Sequence, residues 1–455
     1  MALYCPPRPR PLPAVAGLVR TLWRGDGDLL SMLPSSAYRT HIGYLGVSRR
    51  SILIVNDPAL VREILQDESE VYPKSDLMAA ALEPLIGNSI FVSSGATWRR
   101  QRRMIDPAFS HMRLSHAFKS MAAAVDDYEL RLDEQARSGA AFSLDLAMSH
   151  LTADVICRTV FSTSLQSQVA RDVFEAFTLF ERNVAQVQIR RLILDPAWTR
   201  PPQQPAVEAA CQQIREHLGT LLDSHLGTGQ GRFDDIASAV AAARDLESAE
   251  GFTRAELIDQ LGVMFLAGHE TTASVLTWVF FILATQPDVL QRMRAEIAAV
   301  AGAGPIALEQ VKRLGYVRNV FRETMRLYPP ITFLPRVALE RTRIGRFSVR
   351  RGALIMIAPW TIHRHADWWP NPHAFDPDRF SAERERDIVP GSYLPFGLGP
   401  RVCMGAGFAS LEAALILARL VRRFDFSIES ADRVRPVARL TTRPAEQIFC
   451  RVRER

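Results

Sequence analysis

The 455-residue sequence has few cysteines, no long hydrophobic run and no linker-like segment. Its cysteines show no paired spacing, which excludes a disulfide framework and favours a reducing compartment. No run of about 20 uncharged apolar residues occurs, so no membrane span is predicted. No Ser/Gly-rich linker, charge block or repeat divides the chain, which favours one large folded domain over residues 1–455. The five cysteines are Cys5, Cys157, Cys211, Cys403 and Cys450.

The N-terminal segment, residues 1–20, is rich in proline, which argues against a secretory or membrane helix. We therefore expect a cytoplasmic protein without a transmembrane anchor. Hydrophobic residues make up 47% and charged residues 23% of the chain, as in ordinary soluble globular proteins. The net charge of +6 suggests acidic partners or substrates. We expect no nucleic-acid partner.

Apolar periodicity predicts a mainly α chain with small β-sheets. Residues 113–250 repeat with a period near 3.6, which indicates helices, while residues 45–55 and 347–357 alternate like strands. Asp57 and Pro58 can cap and begin a helix that runs to about residue 66. Prolines between residues 195 and 202 interrupt the helical stretch and predict a mobile connection.

Cys403 lies in a glycine-rich loop before an apolar run, residues 408–420, that is typical of a helix. Backbone N–H groups at a helix start favour a deprotonated sulfur. Gly405 allows close approach of a flat ligand, Phe396 can cover the sulfur, and Arg401 can bind an anionic group. One thiolate as the only protein ligand of an iron is a haem arrangement, because zinc and iron–sulfur sites need three or four ligands. A buried cysteine in a turn is the alternative.

The segment from Phe396 to Gly405 resembles the cysteine signature of the cytochrome P-450 superfamily, the haem-thiolate monooxygenases. Further signatures follow in the expected order between Trp98 and Leu440. The resemblance implies one large domain that binds haem b between a long central helix and the cysteine loop, with Cys403 as the iron ligand. It also implies insertion of one oxygen atom from O₂ into a hydrophobic small molecule, with electrons from a ferredoxin or flavodoxin and its reductase. We expect a monomer.

Residues 257–285 form a long apolar stretch that is interrupted by Ala-Gly-His-Glu-Thr-Thr at residues 267–272. Polar residues in a buried helix are locally unfavourable, which points to function. Small residues such as Ala267 leave room for a ligand, and the Thr271 hydroxyl can open a groove that holds water. Glu270 can supply protons through Thr271. The resemblance implies that Glu270 and Thr271 are the catalytic pair that delivers protons.

Trp98 and Arg102 are four residues apart and share one face of a predicted helix. A Trp N–H and an Arg guanidinium can both bind a carboxylate such as a haem propionate, whereas a solvated basic face is the ordinary alternative. The resemblance places Arg336 at a propionate as well.

Glu323 and Arg326 are three residues apart on another predicted helix. A surface ion pair is the ordinary interpretation of such a spacing. The surrounding sequence resembles the family's Glu-x-x-Arg, and Arg379 falls in the segment that supplies a third charge. The resemblance implies a buried structural triad that holds the Cys403 loop.

The substrate pocket is predicted to be apolar, which admits hydroxylation or epoxidation of a fatty acid, terpenoid, steroid or polyketide. Thr441 falls where the family places a pocket residue. The other pocket candidates are Ile86, Phe91, Val263, Phe333 and Leu334.

Arginines near the cysteine loop are candidates for docking an acidic electron carrier. These are Arg99, Arg100, Arg103, Arg419, Arg422 and Arg423. Three other functions stay open: a peroxide-using haem-thiolate enzyme, a non-oxygenating one, and a haem sensor or carrier.

Overall fold

The computed structural model describes residues 4–13, 16, 28–31, 33–44, 48–67, 70–184, 195–199, 203–227 and 233–455. Part of the predicted proline segment and part of the predicted mobile connection therefore lie outside the described residues. Helices dominate, as the apolar periodicity predicts. They are α1 (Pro58–Leu65), α2 (Asp76–Ile86), α3 (Gly95–Ile105), α4 (His111–Ser138), α5 (Leu144–Phe161), α6 (Gln168–Val184), α7 (Pro205–Gly227), α8 (Ile236–Ala242), α9 (Arg254–Thr285), α10 (Pro287–Ala301), α11 (Leu308–Arg313), α12 (Gly315–Leu327), α13 (Pro359–Ile362) and α14 (Ala406–Arg423).

The strands form small sheets beside the helices. The largest has the order β1-β2-β7-β4, in which β2 and β7 are parallel and the outer pairs are antiparallel. A second sheet has the order β3-β11-β8, and two hairpins pair β5 with β6 and β9 with β10. The strands are β1 (Ile42–Tyr44), β2 (Ile52–Val55), β3 (Phe142–Ser143), β4 (Leu334–Val337), β5 (Thr342–Ile344), β6 (Phe347–Val349), β7 (Leu354–Ile357), β8 (Phe424–Ile428), β9 (Pro436–Ala438), β10 (Thr442–Pro444) and β11 (Phe449–Glu454).

Local sequence signals explain several of these boundaries. The Asp57 side chain accepts the backbone N–H groups of Ala59 and Leu60, and Pro58 is the first residue of α1, as predicted. The Thr253 side chain and Glu256 form a capping box at the start of α9. The helix α2 continues through Pro84 to Ile86.

The central helix α9 is apolar around most of its surface because other elements cover it on nearly all sides. It is the one helix of the described chain that is long and apolar enough to cross a bilayer, yet 83% of that apolar window is buried inside the protein. Gly268 allows close packing against α5, since a Cβ atom there would lie 2.3 Å from Cδ1 of Ile156. The glycine in the polar interruption therefore serves helix packing.

The predicted Glu323–Arg326–Arg379 triad is buried. Two guanidinium nitrogens of Arg326 donate to the Glu323 carboxylate, each at 2.7 Å, and both side chains have no exposed surface. Arg379 Nε lies 3.4 Å from the same carboxylate. Arg326 also donates to the backbone carbonyls of His363, Pro372 and Ala374. A single cation thus fixes three points of the segment that follows α13.

His363 continues this network toward the cysteine loop. Its Nδ1 lies 3.1 Å from the Arg326 carbonyl oxygen, and its Nε2 accepts the Leu394 N–H at 2.8 Å. Burial, together with the charges of Arg326 and Arg364, lowers the pKa of His363 to about 3. The imidazole is therefore neutral, which lets one ring nitrogen donate and the other accept.

We expect Glu323→Gln to lower the free energy of unfolding by about 3–5 kcal/mol, because it leaves the buried Arg326 cation without its counter-charge. Urea denaturation measures this loss. Glu309→Gln is the matched control, since Glu309 and Lys312 are also three residues apart at 2.7 Å, but exposed. The control should change the free energy by at most about 1 kcal/mol. Equal losses in both variants would contradict the role of the buried pair.

Candidate active site

A cavity of about 280 Å³ lies between α9 and the loop that precedes α14. Its walls are mostly apolar, and its lining includes Cys403 together with Ala267 and Thr271 of α9. The strand β4 and the helix α3 contribute Arg336 and Trp98. The fold therefore brings most of the predicted site residues to one place.

Backbone contacts fix the conformation of the loop that carries Cys403. The Cys403 N–H donates to the Phe396 carbonyl at 3.0 Å. Gly399 has φ +74°, and a Cβ atom there would lie 2.1 Å from the Leu65 carbonyl oxygen, so only glycine fits. Burial raises the pKa of the Cys403 thiol, while the Gly405 N–H and the charges of Arg102 and Lys74 act to lower it. The sulfur is thus accessible to a ligand in the cavity, beside two cationic side chains.

A cluster of one buried and two half-buried cations occupies one part of the cavity wall. It consists of Lys74, Arg336 and Arg401, and no carboxylate is present among the described lining residues. Burial is the main cause that lowers the pKa of Arg336 to about 10, and the charge of Arg401 adds to it. Burial likewise lowers the pKa of Arg401 to about 10 and that of Lys74 well below its usual value. Desolvated cations without a counter-charge are unfavourable, so this cluster fits an anionic ligand.

Lys74 was not found from the sequence. Its Nζ donates to the Phe91 carbonyl at 2.5 Å and lies 3.7 Å from the centroid of the Phe91 ring. An isolated β-bridge pairs its backbone with Arg336. The available signal was a single lysine just before Ser75, the N-cap of α2, which by itself predicts nothing about an anion.

Trp98 and Arg102 share one face of α3, as predicted, and both line the cavity. The Arg401 guanidinium carbon lies over the Trp98 ring, 4.3 Å from the ring centroid. Arg102 forms an ion pair with Asp106 at 2.7 Å and donates to the Val402 carbonyl at 2.8 Å. In this structure Arg102 thus ties α3 to the cysteine loop.

The side chains of the predicted Glu270–Thr271 pair diverge. The Thr271 hydroxyl faces the cavity and donates to the Ala267 carbonyl at 2.7 Å. The Glu270 carboxylate is buried elsewhere, where it accepts from Thr441 at 2.6 Å and from Nε and Nη2 of Arg443. Burial acts to raise the pKa of Glu270, but the charge and hydrogen bonds of Arg443 hold it below its usual value. In this conformation Arg443 and Thr441 therefore hold the Glu270 carboxylate away from the Thr271 hydroxyl.

Two pocket predictions are corrected by the structure. Thr441 does not line the cavity, because its hydroxyl is turned toward Glu270. Ile86 is fully buried at the end of α2, outside the cavity wall. The other four predicted pocket residues do line the cavity: Phe91, Val263, Phe333 and Leu334.

The hairpin of β9 and β10 is joined to α9 next to Glu270. The Thr442 carbonyl accepts from the Ser274 hydroxyl and from the Trp278 indole N–H, each at 2.8 Å. Together with the Thr441 hydrogen bond, these contacts fix the position of the hairpin along α9.

Sequence reasoning also missed Glu412 and Thr272. Glu412 lies on α14, is fully buried, and neither carboxyl oxygen has a hydrogen-bond partner. The Thr272 hydroxyl is the polar group that faces it, and Thr272 lines the cavity, although the two do not reach hydrogen-bond geometry. Burial raises the pKa of Glu412 well above its usual value, which favours the protonated carboxyl. A glutamate inside the apolar run at residues 408–420 was the available signal.

Most of the arginines predicted to form a basic docking face form ion pairs with carboxylates of the chain itself. Arg422 is the exception, because it donates to the backbone carbonyls of Gly302 and Gly304. Five of these six arginines thus have a carboxylate partner within the chain. The ion pairs are Arg99–Glu70, Arg100–Glu256, Arg103–Asp245, Arg419–Glu129 and Arg423–Asp133.

The residues around the cavity fit a haem. An accessible thiol matches an iron ligand, a cluster of desolvated cations matches two propionates, and apolar walls match a flat macrocycle.

Comparison with known proteins agrees with this fit. A family model for cytochrome P-450 matches residues 6–451. The chain is 30% identical over 440 residues to cyclooctatin synthase of Streptomyces melanosporofaciens, covering 95% of this chain and 91% of that protein. It is also 30% identical over 426 residues to cyclooctat-9-en-7-ol 5-monooxygenase of the same organism, covering 92% and 88%.

The fold itself is shared with solved structures. The crystal structure of the cytochrome P-450DA haem domain matches with a TM-score of 0.80 at 24% identity, covering 91% of this chain and 89% of that one. The thiol-bearing loop, the cation cluster and the long central helix lie within the matched family region. The chain therefore belongs to the cytochrome P-450 family, and it is a haem-containing monooxygenase.

Proposed function

We propose that this chain hydroxylates a neutral, terpenoid-like substrate in a pocket above the haem. The observation that carries the proposal is the cavity itself. Its wall combines the Cys403 thiol with apolar side chains, and all of its described charged groups are cations, namely Lys74, Arg102, Arg336 and Arg401. Once these cations bind propionates, none of them remains to bind a charged substrate.

Each side chain of the site has a proposed role in holding the haem. Cys403 is the iron ligand, with Phe396 covering the sulfur and Gly405 allowing close approach. Lys74, Arg336 and Arg401 bind the propionates, together with Trp98 and Arg102. Ala267 leaves room on the α9 side of the macrocycle. When bound, the haem supplies electron transfer and oxygen activation.

Thr271 is the proposed proton donor nearest to the reacting centre. Its hydroxyl lies in the cavity and needs one new hydrogen-bond partner to pass a proton onward. Glu270 can contribute only when its carboxylate leaves Arg443 and Thr441, since those contacts now hold it. Thr272 and Glu412 are a second hydroxyl and carboxyl that face each other beside the cavity, without a hydrogen bond between them in this structure.

The substrate class rests on the pocket and on the relatives. Phe91, Val263, Phe333 and Leu334 offer apolar contacts only, which favour a hydrocarbon skeleton. A relative whose printed name is cyclooctat-9-en-7-ol 5-monooxygenase acts on a neutral alcohol. Both observations support a neutral substrate over a fatty acid.

The remaining proposals concern the surroundings of the enzyme. Electrons come from a separate ferredoxin or flavodoxin with its reductase, docking where Val402 of the cysteine loop is exposed. Because the surrounding arginines are ion-paired, docking depends less on net charge than the sequence suggests. Cys157, Cys211, Cys403 and Cys450 form no disulfide, which supports a reducing, cytoplasmic location. We propose a monomer that folds as one domain.

We expect Lys74→Met to speed haem loss by about 10- to 100-fold, because a charged hydrogen bond contributes about 1.5–3 kcal/mol. Transfer of haem to apomyoglobin, followed by absorbance, measures the rate. The matched control is Lys312→Met, at an exposed lysine on α11, which should leave the rate unchanged. Identical rates of haem loss in the two variants would show that Lys74 does not bind a propionate.

We expect Thr271→Ala to lower product formed per NADH consumed by at least about tenfold, because the proton supply to the reacting centre is interrupted. A surrogate ferredoxin system with peroxide detection measures this coupling. Thr277→Ala is the control, since the Thr277 hydroxyl makes the same contact to a carbonyl one turn earlier on α9, at 2.8 Å, but lies outside the cavity. Normal coupling in Thr271→Ala would overturn the assignment.

We expect a cyclic diterpene alcohol to bind at least about tenfold more tightly than a fatty acid of equal carbon number, because a buried carboxylate without a cation is unfavourable. Displacement of iron-bound water, followed as a shift of the haem absorption band, measures both affinities. Tighter binding of the fatty acid would refute the substrate class and leave the haem site untouched.

A further inference from the structure

Two histidines and an aspartate meet on the surface, outside the cavity and outside every role assigned above. His41 directly precedes β1, while His365 and Asp367 follow α13. The His41 Nε2 lies 2.6 Å from Oδ2 of Asp367, and the His365 Nδ1 lies 3.9 Å from the same oxygen. One ligand atom from each residue fits within a 4.8 Å span.

One of the three side chains is buried and held by packing, and the other two are exposed. His365 is 1% exposed and its ring stacks on Trp368, with centroids 5.3 Å apart. His41 and Asp367 have side-chain exposures of 45% and 56% and can rotate. Tetrahedral coordination with bonds near 2.0–2.1 Å places ligand atoms about 3.4 Å apart. The separations of 2.6 and 3.9 Å bracket that value.

The outer ring nitrogens also face acceptors, as they do in metal-binding histidines. The His41 Nδ1 lies 3.9 Å from the Asp57 carboxylate. The Asp367 N–H donates to the His365 Nδ1 at 3.3 Å, so this nitrogen is unprotonated, and zinc binding there would replace this long hydrogen bond. The His365 Nε2 is buried without a hydrogen-bond partner, and the Arg39 carbonyl is the backbone group that faces this ring.

We propose that His41, His365 and Asp367 form a binding site for a borderline divalent cation, with Zn²⁺ as the reference ion and solvent as the fourth ligand. Imidazole and carboxylate ligands in this number suit zinc and its first-row neighbours. The ion would replace the His41–Asp367 hydrogen bond and join the edge of the large sheet to the segment that Arg326 fixes. The site stabilises the fold and does not take part in oxygen chemistry.

The chain offers a matched control for this proposal. His116 and Asp234 form a similar exposed pair, with His116 Nδ1 2.7 Å from Asp234 Oδ2. Among the described residues, this pair has no third histidine, cysteine or carboxylate close enough to complete a metal site. If a histidine–aspartate pair alone were enough to hold zinc, both sites would bind it.

Isothermal titration of ZnCl₂ into tag-free, haem-loaded, EDTA-treated protein tests the site. A Cys5→Ser background removes an exposed thiol that could also bind zinc. We expect one zinc ion per chain, loss of that binding in His41→Ala, weakening in Asp367→Asn and no change in His116→Ala. Zinc should raise the unfolding temperature of the parent protein but not of His41→Ala.

Three results would overturn the site. The first is absence of zinc binding to the parent protein. The second is unchanged binding in His41→Ala, and the third is an equal loss in His116→Ala. Because His41 is exposed, its replacement should fold, and an unchanged haem absorption band verifies that directly.

Discussion

The buried ion pair between Glu323 and Arg326 is the contact on which the position of the catalytic loop depends. Arg326 binds three carbonyls of the segment after α13, and His363 passes this order to Leu394 at the start of the loop. A fully desolvated charge pair is only marginally stabilising by itself. In this protein the pair mainly fixes geometry, because the guanidinium of Arg326 donates to several backbone carbonyls and so holds them in defined positions.

The cation cluster of the cavity makes a second contribution to the structure, one that depends on a bound ligand. Lys74, Arg336 and Arg401 line the same cavity and are partly or fully desolvated, which is unfavourable for the polypeptide alone. Binding of an anionic cofactor relieves this repulsion, so part of the fold's stability is supplied by the ligand. The same cations cannot then bind an acidic substrate, which links cofactor retention to substrate choice.

Short motifs revealed the family and the buried triad because their spacing matches a recurring pattern. Helix α9 and the cap of α1 were predictable from local chemistry. The direction of each side chain was not. Glu270 was expected to supply protons through Thr271, but its carboxylate is bound to Arg443, a residue far along the chain. Lys74 and Glu412 escaped notice because their burial depends on packing partners that a local pattern does not encode.

The β9–β10 hairpin has one further consequence. Thr441 and Thr442 are buried and bond to Glu270, Ser274 and Trp278, so this turn is attached to the helix that carries the proposed proton donors. A substitution that moves the turn would therefore also move the Glu270 carboxylate. Under the proposed role of Glu270, the sequence of this hairpin would affect how efficiently the enzyme uses oxygen.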